Sequence, residues 1–141
     1  MSHHAVFWDA SAFIALLNRR DRWHQPAVAL ASQLASENRF RVTTSAVMTE
    51  VANGLAKVPL RSKVPSLIQA WEYSAALGRT EVIHVDEQLW WRGFELYKER
   101  ADKEWGLTDC LSFVVMRERG IEEAFTADRH FAQAGFQRLL F

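Results

Sequence analysis

Apolar residues in this chain alternate between short continuous runs and longer stretches with helical spacing. Ala5 to Trp8 is a short apolar run stopped by Asp9, and Ala12 to Asn18 then carries a helical pattern. Pro26 suits the first turn of a second helix, where its missing N–H would be unpaired anyway, and that helix is expected to reach about Glu37. Phe40 to Thr44 is rich in β-branched residues and predicts a strand, after which Ser45 can cap a helix through about Val58. Two of the three prolines fall between Val58 and Pro65, which marks a joint between helices, not a domain linker.

Leu60, Val64, Leu67, Ile68, Trp71 and Ala75 then recur as one apolar stripe, ending near Gly78. Glu81 to Val85 predicts a strand, and Glu87 to about Lys103 a helix with Leu89, Trp90, Phe94 and Tyr97 on its apolar side. Thr108 to Arg119 is apolar nearly all round, the pattern of a helix buried on most sides, and Gly120 ends it. Ala124 to Ala127 is the next strand, Asp128 to Ala134 a short helix closed by Gly135, and Arg138 to Phe141 a terminal strand. Strands separated by helices imply an α/β architecture, a parallel sheet with helices on both faces.

Composition agrees with one compact domain. The chain has 141 residues, 49% of them apolar, with six Gly and three Pro, and domains near this size bury roughly two-thirds of their unfolded surface. The longest clean apolar run, Ala12 to Leu17, falls far short of the ~20 residues that span a bilayer, so no membrane partner is expected. The start, Met-Ser-His-His, lacks the basic segment and apolar core of a signal peptide, and a cytoplasmic location is expected. One cysteine, Cys110, permits no internal disulfide and no cysteine-based zinc site. Seventeen basic residues balance seventeen acidic ones, so a nucleic-acid ligand would have to be attracted by local charge or metal.

Four acids stand where structure alone would not place them. Asp9 and Asp128 each follow a strand, at the edge where open α/β sheets collect ligands, although either position also suits a helix N-cap. Glu50 shares a helix face with Val47, Val51 and Gly54, which points its carboxylate toward the packed side. Asp109 opens the apolar helix on one face with Ser112, Phe113 and Met116, and Thr108 beside it is a plausible cap. Inward acids with no matching buried Lys or Arg repel each other and resist ionisation. A hard divalent cation such as Mg²⁺ or Mn²⁺ resolves the conflict, and phosphoryl transfer is the chemistry such a cluster serves.

The same residues carry a resemblance. Phe-Trp-Asp-Ala-Ser-Ala-Phe-Ile-Ala-Leu at 7 to 16, Thr-Ser-Ala-Val-Met-Thr-Glu-Val-Ala-Asn-Gly at 44 to 54, Leu-Thr-Asp-Cys-Leu-Ser-Phe at 107 to 113 and Phe-Thr-Ala-Asp-Arg-His-Phe at 125 to 131 resemble the four blocks of PIN-domain proteins. The chain is most similar to the VapC-type ribonuclease toxins of bacterial type II toxin–antitoxin modules. The resemblance implies one PIN domain over residues 1–141, with a three-layer fold around a five-stranded parallel sheet of order 3-2-1-4-5. It implies a Mg²⁺-dependent endoribonuclease, with Mn²⁺ able to substitute. Asp9 and Asp109 would be the main metal ligands, Glu50 would bind metal directly or through water, and Asp128 would complete the site or hold a second ion. Ser11, Thr108 and Thr126 match small hydroxyl positions that orient these acids. The partners implied are an RNA substrate, a cognate antitoxin and a second copy of the chain. The departure is charge, since the chain is neutral where an RNA enzyme is expected to be basic.

Arg19, Arg20, Arg22, Arg129 and His130 adjoin the motifs and are candidate RNA contacts, with a solvated surface as the plain alternative. Cys110 is expected to be a packed thiol, not a nucleophile. His3, His4, His24, His84 and His130 show no zinc spacing, and His84 is expected as a hydrogen-bonded core or edge residue of its strand. Trp90 and Trp91 cannot both face inward, so this pair and the Leu60 to Ala75 stripe are candidate docking or dimer surfaces, or else core. Two other functions fit the fold: a catalytically silent binding module, and a metal-dependent phosphohydrolase acting on DNA or a small molecule.

Overall fold

The structure, a computed structural model, describes residues 4–141, so Met1, Ser2 and His3, including most of the start examined for a signal peptide, lie outside the described residues. Strands β1 (Val6–Trp8), β2 (Arg41–Thr44), β3 (Thr80–Ile83), β4 (Glu123–Phe125) and β5 (Gln137–Arg138) form one sheet of order β3-β2-β1-β4-β5. All its pairings are parallel, with Phe7 set between Val42 and Ala124. The helices are α1 (Ala10–Leu17), α2 (His24–Ser36), α3 (Ser45–Gly54), α4 (Lys63–Ala76), α5 (Glu87–Glu99), α6 (Leu107–Arg119) and α7 (Arg129–Gln133), and a 3-10 turn at Leu60–Ser62 leads into α4.

The chain steps outward from β1 to β3 and then resumes on the other side of β1, so right-handed crossovers place the connecting helices on opposite faces. Neighbouring strand residues point to opposite faces, and β1 shows the consequence. The Phe7 ring meets Phe131 of α7, which stacks edge-on with Phe113 of α6. Trp8 meets Phe13 of α1 and Trp71 of α4. Val6, Phe7, Phe13, Phe113, Phe125 and Phe131 are completely buried. The sheet is thus a layer between two aromatic clusters, and its β1/β4 edge of strand ends is the switch point where the topology reverses.

Several boundaries and faces differ from the sequence reading. The first helix starts directly after Asp9, and α3 ends at Gly54, short of Val58, where Leu55 turns back into the core at 5% exposure. Thr44, not Ser45, caps α3, accepting the Val47 N–H at 3.1 Å, while the Ser45 hydroxyl accepts the Val85 N–H beyond β3. Gly106, not Thr108, holds the cap position of α6. Strand β4 stops at Phe125, β5 covers only Gln137–Arg138, and α5 stops at Glu99.

The apolar side expected for α5 holds for Leu89 alone. Leu89 and Gly93 are its buried residues, whereas Trp90, Trp91, Phe94 and Tyr97 are exposed. A Cβ on Gly93 would lie 2.4 Å from Leu111 Cδ2, so a bare backbone lets α5 approach α6 closely and turns the aromatic residues outward. The stripe on α4 belongs to the core, with Val64 and Trp71 buried and Leu60, Leu67 and Ile68 packed against them. His84 also departs from expectation: it follows β3, is largely exposed and lies 3.7 Å from Glu72.

Candidate active site

Asp9 leaves β1 at the N-cap position of α1, yet its side chain makes no cap bond. Its Oδ2 instead accepts hydrogen bonds from the Thr126 hydroxyl at 2.8 Å and the Ser11 hydroxyl at 3.2 Å, and the two hydroxyls lie 3.0 Å apart. These hydroxyls also accept the main-chain N–H groups of Asp128 and Ala127. Hence the loop after β4 is tied to the start of α1, joining the tips of the two strands that flank the switch point. Ser11 and Thr126 therefore hold one oxygen of Asp9 between them.

Asp9 is 4% exposed. Burial above all, with the charges of Asp109 and Glu50, pushes its carboxyl up to about 7 against the Thr126 hydrogen bond. Such a group keeps its charge near neutral pH only with a positive counterpart.

Asp109 sits in the first turn of α6 and accepts the Gly106 N–H at 3.2 Å. Its side chain is 13% exposed, which agrees with an inward-looking carboxylate. Burial raises its carboxyl, Asp128 adds to the rise, and the His130 ring opposes it. Asp128 caps α7 through the His130 N–H at 2.9 Å. Capping and participation in the cluster are thus not alternatives at this residue. The His130 ring Nδ1 lies 3.2 Å from Asp109 and 3.4 Å from Asp128.

Asp109, Asp128 and His130 place one ligand atom each within 4.8 Å of one another, forming the tight part of the site, while Asp9 and Glu50 reach it through charge. The inward orientation expected for Glu50 is incorrect. Glu50 is exposed, because Val47 and Val51 take the buried side of α3. Protein crowding around its carboxyl still raises it above the ordinary range, Asp109 adds to the effect, and a hydrogen bond from Thr108 opposes it. Glu50 is therefore a rim residue, and Thr108 serves it in place of capping α6.

The candidate RNA contacts divide. Arg19, Arg20, Arg22 and Arg129 are exposed and make no ion pair among the described residues. The first three follow the C-terminal end of α1, whereas Asp9 stands at its N-terminal end, about 12 Å away for a helix of this length. His130 instead belongs inside the acid group, a role the sequence reading missed although its position two residues after Asp128, at the start of a short helix, signalled it. Cys110 is buried, and burial followed by Asp109 pushes its thiol up to about 11, which removes it as a nucleophile.

Comparison with known proteins agrees with this geometry. The 23S rRNA-specific endonuclease VapC20 of Mycobacterium tuberculosis, found in two strains, is 30% identical over 134 residues, covering 93% of this chain and 95% of the relative. The crystal structure of VapC20, described as a sarcin–ricin loop cleaving toxin, matches with a TM-score of 0.77 at 28% identity, again over 93% and 95% of the two chains. VapBC2 from Rickettsia felis, bound to a promoter DNA fragment, matches with a TM-score of 0.59 at 15% identity over 92% and 91%, a likeness of fold alone. The sequence model of the PIN domain matches residues 6–137, the span that contains β1 to β4, the start of β5 and all four acids. With that match and the VapC20 identity beside the switch-point acid cluster, the chain belongs to the PIN-domain family.

Proposed function

We propose that this chain is a divalent-metal-dependent endoribonuclease, the toxin component of a type II toxin–antitoxin pair, with Asp9, Glu50, Asp109 and Asp128 as its catalytic acids. The observation that carries the reading is Asp9: a buried carboxylate, fixed by two hydroxyls, near two further acids and with no Lys or Arg paired to it among the described residues. Kinship with a 23S rRNA-specific endonuclease supports RNA as the substrate class.

The donor set suits a small hard cation. Asp109, Asp128 and His130 would hold it, with Asp9 supplying the buried negative charge, and the imidazole nitrogen makes Mn²⁺ as suitable as Mg²⁺. When bound, such an ion would lower the pKa of water and offset charge on the phosphodiester oxygens. The protein's own contribution is orientation. Ser11 and Thr126 fix Asp9, the Gly106 N–H fixes Asp109, and the exposed Glu50 at the rim is accessible to water and to an arriving RNA strand. By family likeness the products carry a 3′-hydroxyl and a 5′-phosphate. An antitoxin and a second copy of the chain are the protein partners of this reading, and the exposed Trp90, Trp91, Phe94 and Tyr97 on α5 offer them an apolar face.

The decisive experiment incubates purified protein with RNA or single-stranded DNA in Mg²⁺, Mn²⁺ or chelator. Cleavage of RNA alone, abolished by chelator and by Asp109→Asn in a protein with unchanged circular dichroism, is the expected result. Unchanged RNA cleavage by Asp109→Asn would overturn the assignment. Metal-dependent cleavage confined to DNA would move the chain to the rival phosphohydrolase reading.

A further inference from the structure

The end of the sheet opposite the acid cluster carries a polar cleft of about 460 Å³. Strands β2 and β3 begin there, and Asn38, Arg39, Arg41, Gly78 and Arg79 are among its lining residues. The Arg41 N–H donates to the Arg79 carbonyl at 3.3 Å, which brings the two arginines together across the strand pair. Gly78 turns into β3 with φ 74°, and a Cβ there would meet nothing, so the cleft stays open beside it.

The three arginines differ in how they are satisfied. The Arg39 guanidinium bonds to Glu37, Glu123 and the His4 carbonyl. Arg41 and Arg79 have no carboxylate partner among the described residues. Arg41 is half-buried, with its guanidinium over the Trp71 ring at 5.8 Å. Stacking restrains the guanidinium plane and leaves its N–H edge uncommitted. Burial, followed by the charge of Arg79, works against the Arg41 cation and lowers its pKa. Two arginines that line one cleft, one of them half-buried, gain most from a ligand that supplies several anionic oxygens.

We propose that this cleft is a phosphate-binding site in which the Arg41 and Arg79 guanidinium groups take the oxygens of a phosphate, borne either by an RNA backbone or by a free phosphate ion. The site is distinct from the acid cluster. Arg41 opens β2 and Thr44 closes it, so the two ends of that strand stand about 10 Å apart. A phosphate bound in the cleft is therefore not the one being cleaved. For a chain without net charge, it is a place where local positive charge is concentrated.

The test titrates the full chain, with chelator present, with inorganic phosphate at constant ionic strength, and follows the arginine side-chain and backbone amide signals by NMR. Saturable shifts at Arg41 and Arg79 in the millimolar range are expected. Arg79→Gln removes an exposed side chain and should weaken phosphate binding about tenfold, the scale of a charge-assisted hydrogen bond. Arg41→Lys keeps the charge but loses the planar fork and should also weaken binding, with unchanged signals elsewhere showing that both variants fold. A second arm adds a single-stranded RNA oligonucleotide to the phosphate-loaded protein: displacement at Arg41 assigns the RNA backbone as occupant, and persistence assigns the free ion. The proposal is overturned if chloride at the same ionic strength produces the same shifts, if phosphate produces none, or if Arg79→Gln responds as the wild type does.

Discussion

Replacing Asp9 with Asn tests the central electrostatic claim directly. In the folded, metal-free protein the Asp9 carboxyl is raised from 3.8 to about 7. A shift of roughly three units at about 1.4 kcal/mol each makes the ionised carboxylate cost up to about 4 kcal/mol of folding stability. Because the folded value lies above the unfolded one, the favourable contribution is complete below the unfolded value and is lost as pH rises through about 7. Asn cannot ionise. Both hydroxyl bonds reach the same oxygen of Asp9, so the amide oxygen of Asn can accept them both. The raised value already contains the strengthening of the Thr126 bond on ionisation, so the expected gain is the whole of that cost, up to about 4 kcal/mol. Urea unfolding in chelator across a pH series is the assay. Above neutrality the variant should be the more stable protein, and the gap should narrow as pH falls below about 7 and close toward the unfolded value of 3.8. Adding Mn²⁺ should reverse the ranking above neutrality, since metal stabilises the folded wild type and competes there with few protons. A variant no more stable than wild type in chelator above neutrality, with the same pH slope, would refute the reasoning.

Three further outcomes follow from the packing and the hydroxyl pair. Gly93→Ala would set a Cβ 2.4 Å from Leu111 Cδ2 and 2.9 Å from its Cγ, an overpacking expected to cost about 1–3 kcal/mol in chemical denaturation; an unchanged midpoint would show that α5 has room to shift. Thr126→Val removes both the donor to Asp9 and the acceptor of the Asp128 N–H, so a loss of about 1–2 kcal/mol is expected. The same change should drive the Asp9 carboxyl higher and move the onset of metal binding to higher pH, and a calorimetric metal titration with an unmoved pH profile would contradict it. The Cys110 thiol, buried and pushed up to about 11, should resist alkylation near neutral pH in the native protein and react in denaturant. Rapid native labelling would show that the N-terminal part of α6 opens.

The alternation of apolar runs and helical stripes was enough to locate β1 and β2 to within a residue or two and the apolar helix carrying Asp109, because burial on a sheet or under a helix requires that periodicity. The ordered motif blocks supplied the strand order, while positions after strands and on helix faces had already singled out the four acids. What periodicity cannot supply is the partner of each face. The apolar side of α5 follows from the absence of a side chain at Gly93, which lets Leu111 approach and rotates Trp90 and Phe94 into solvent. Glu50 shares a stripe with buried valines and still ends at the rim, since neighbours on a helix face do not share one depth. The site itself is non-local: Thr126 serves Asp9 across 117 positions, and His130 meets Asp109 across 21. Sequence alone determined which residues carry charge and which elements end in them. Only the tertiary structure decided which of those charges lose their water and meet, because desolvation depends on chain segments brought together from far apart.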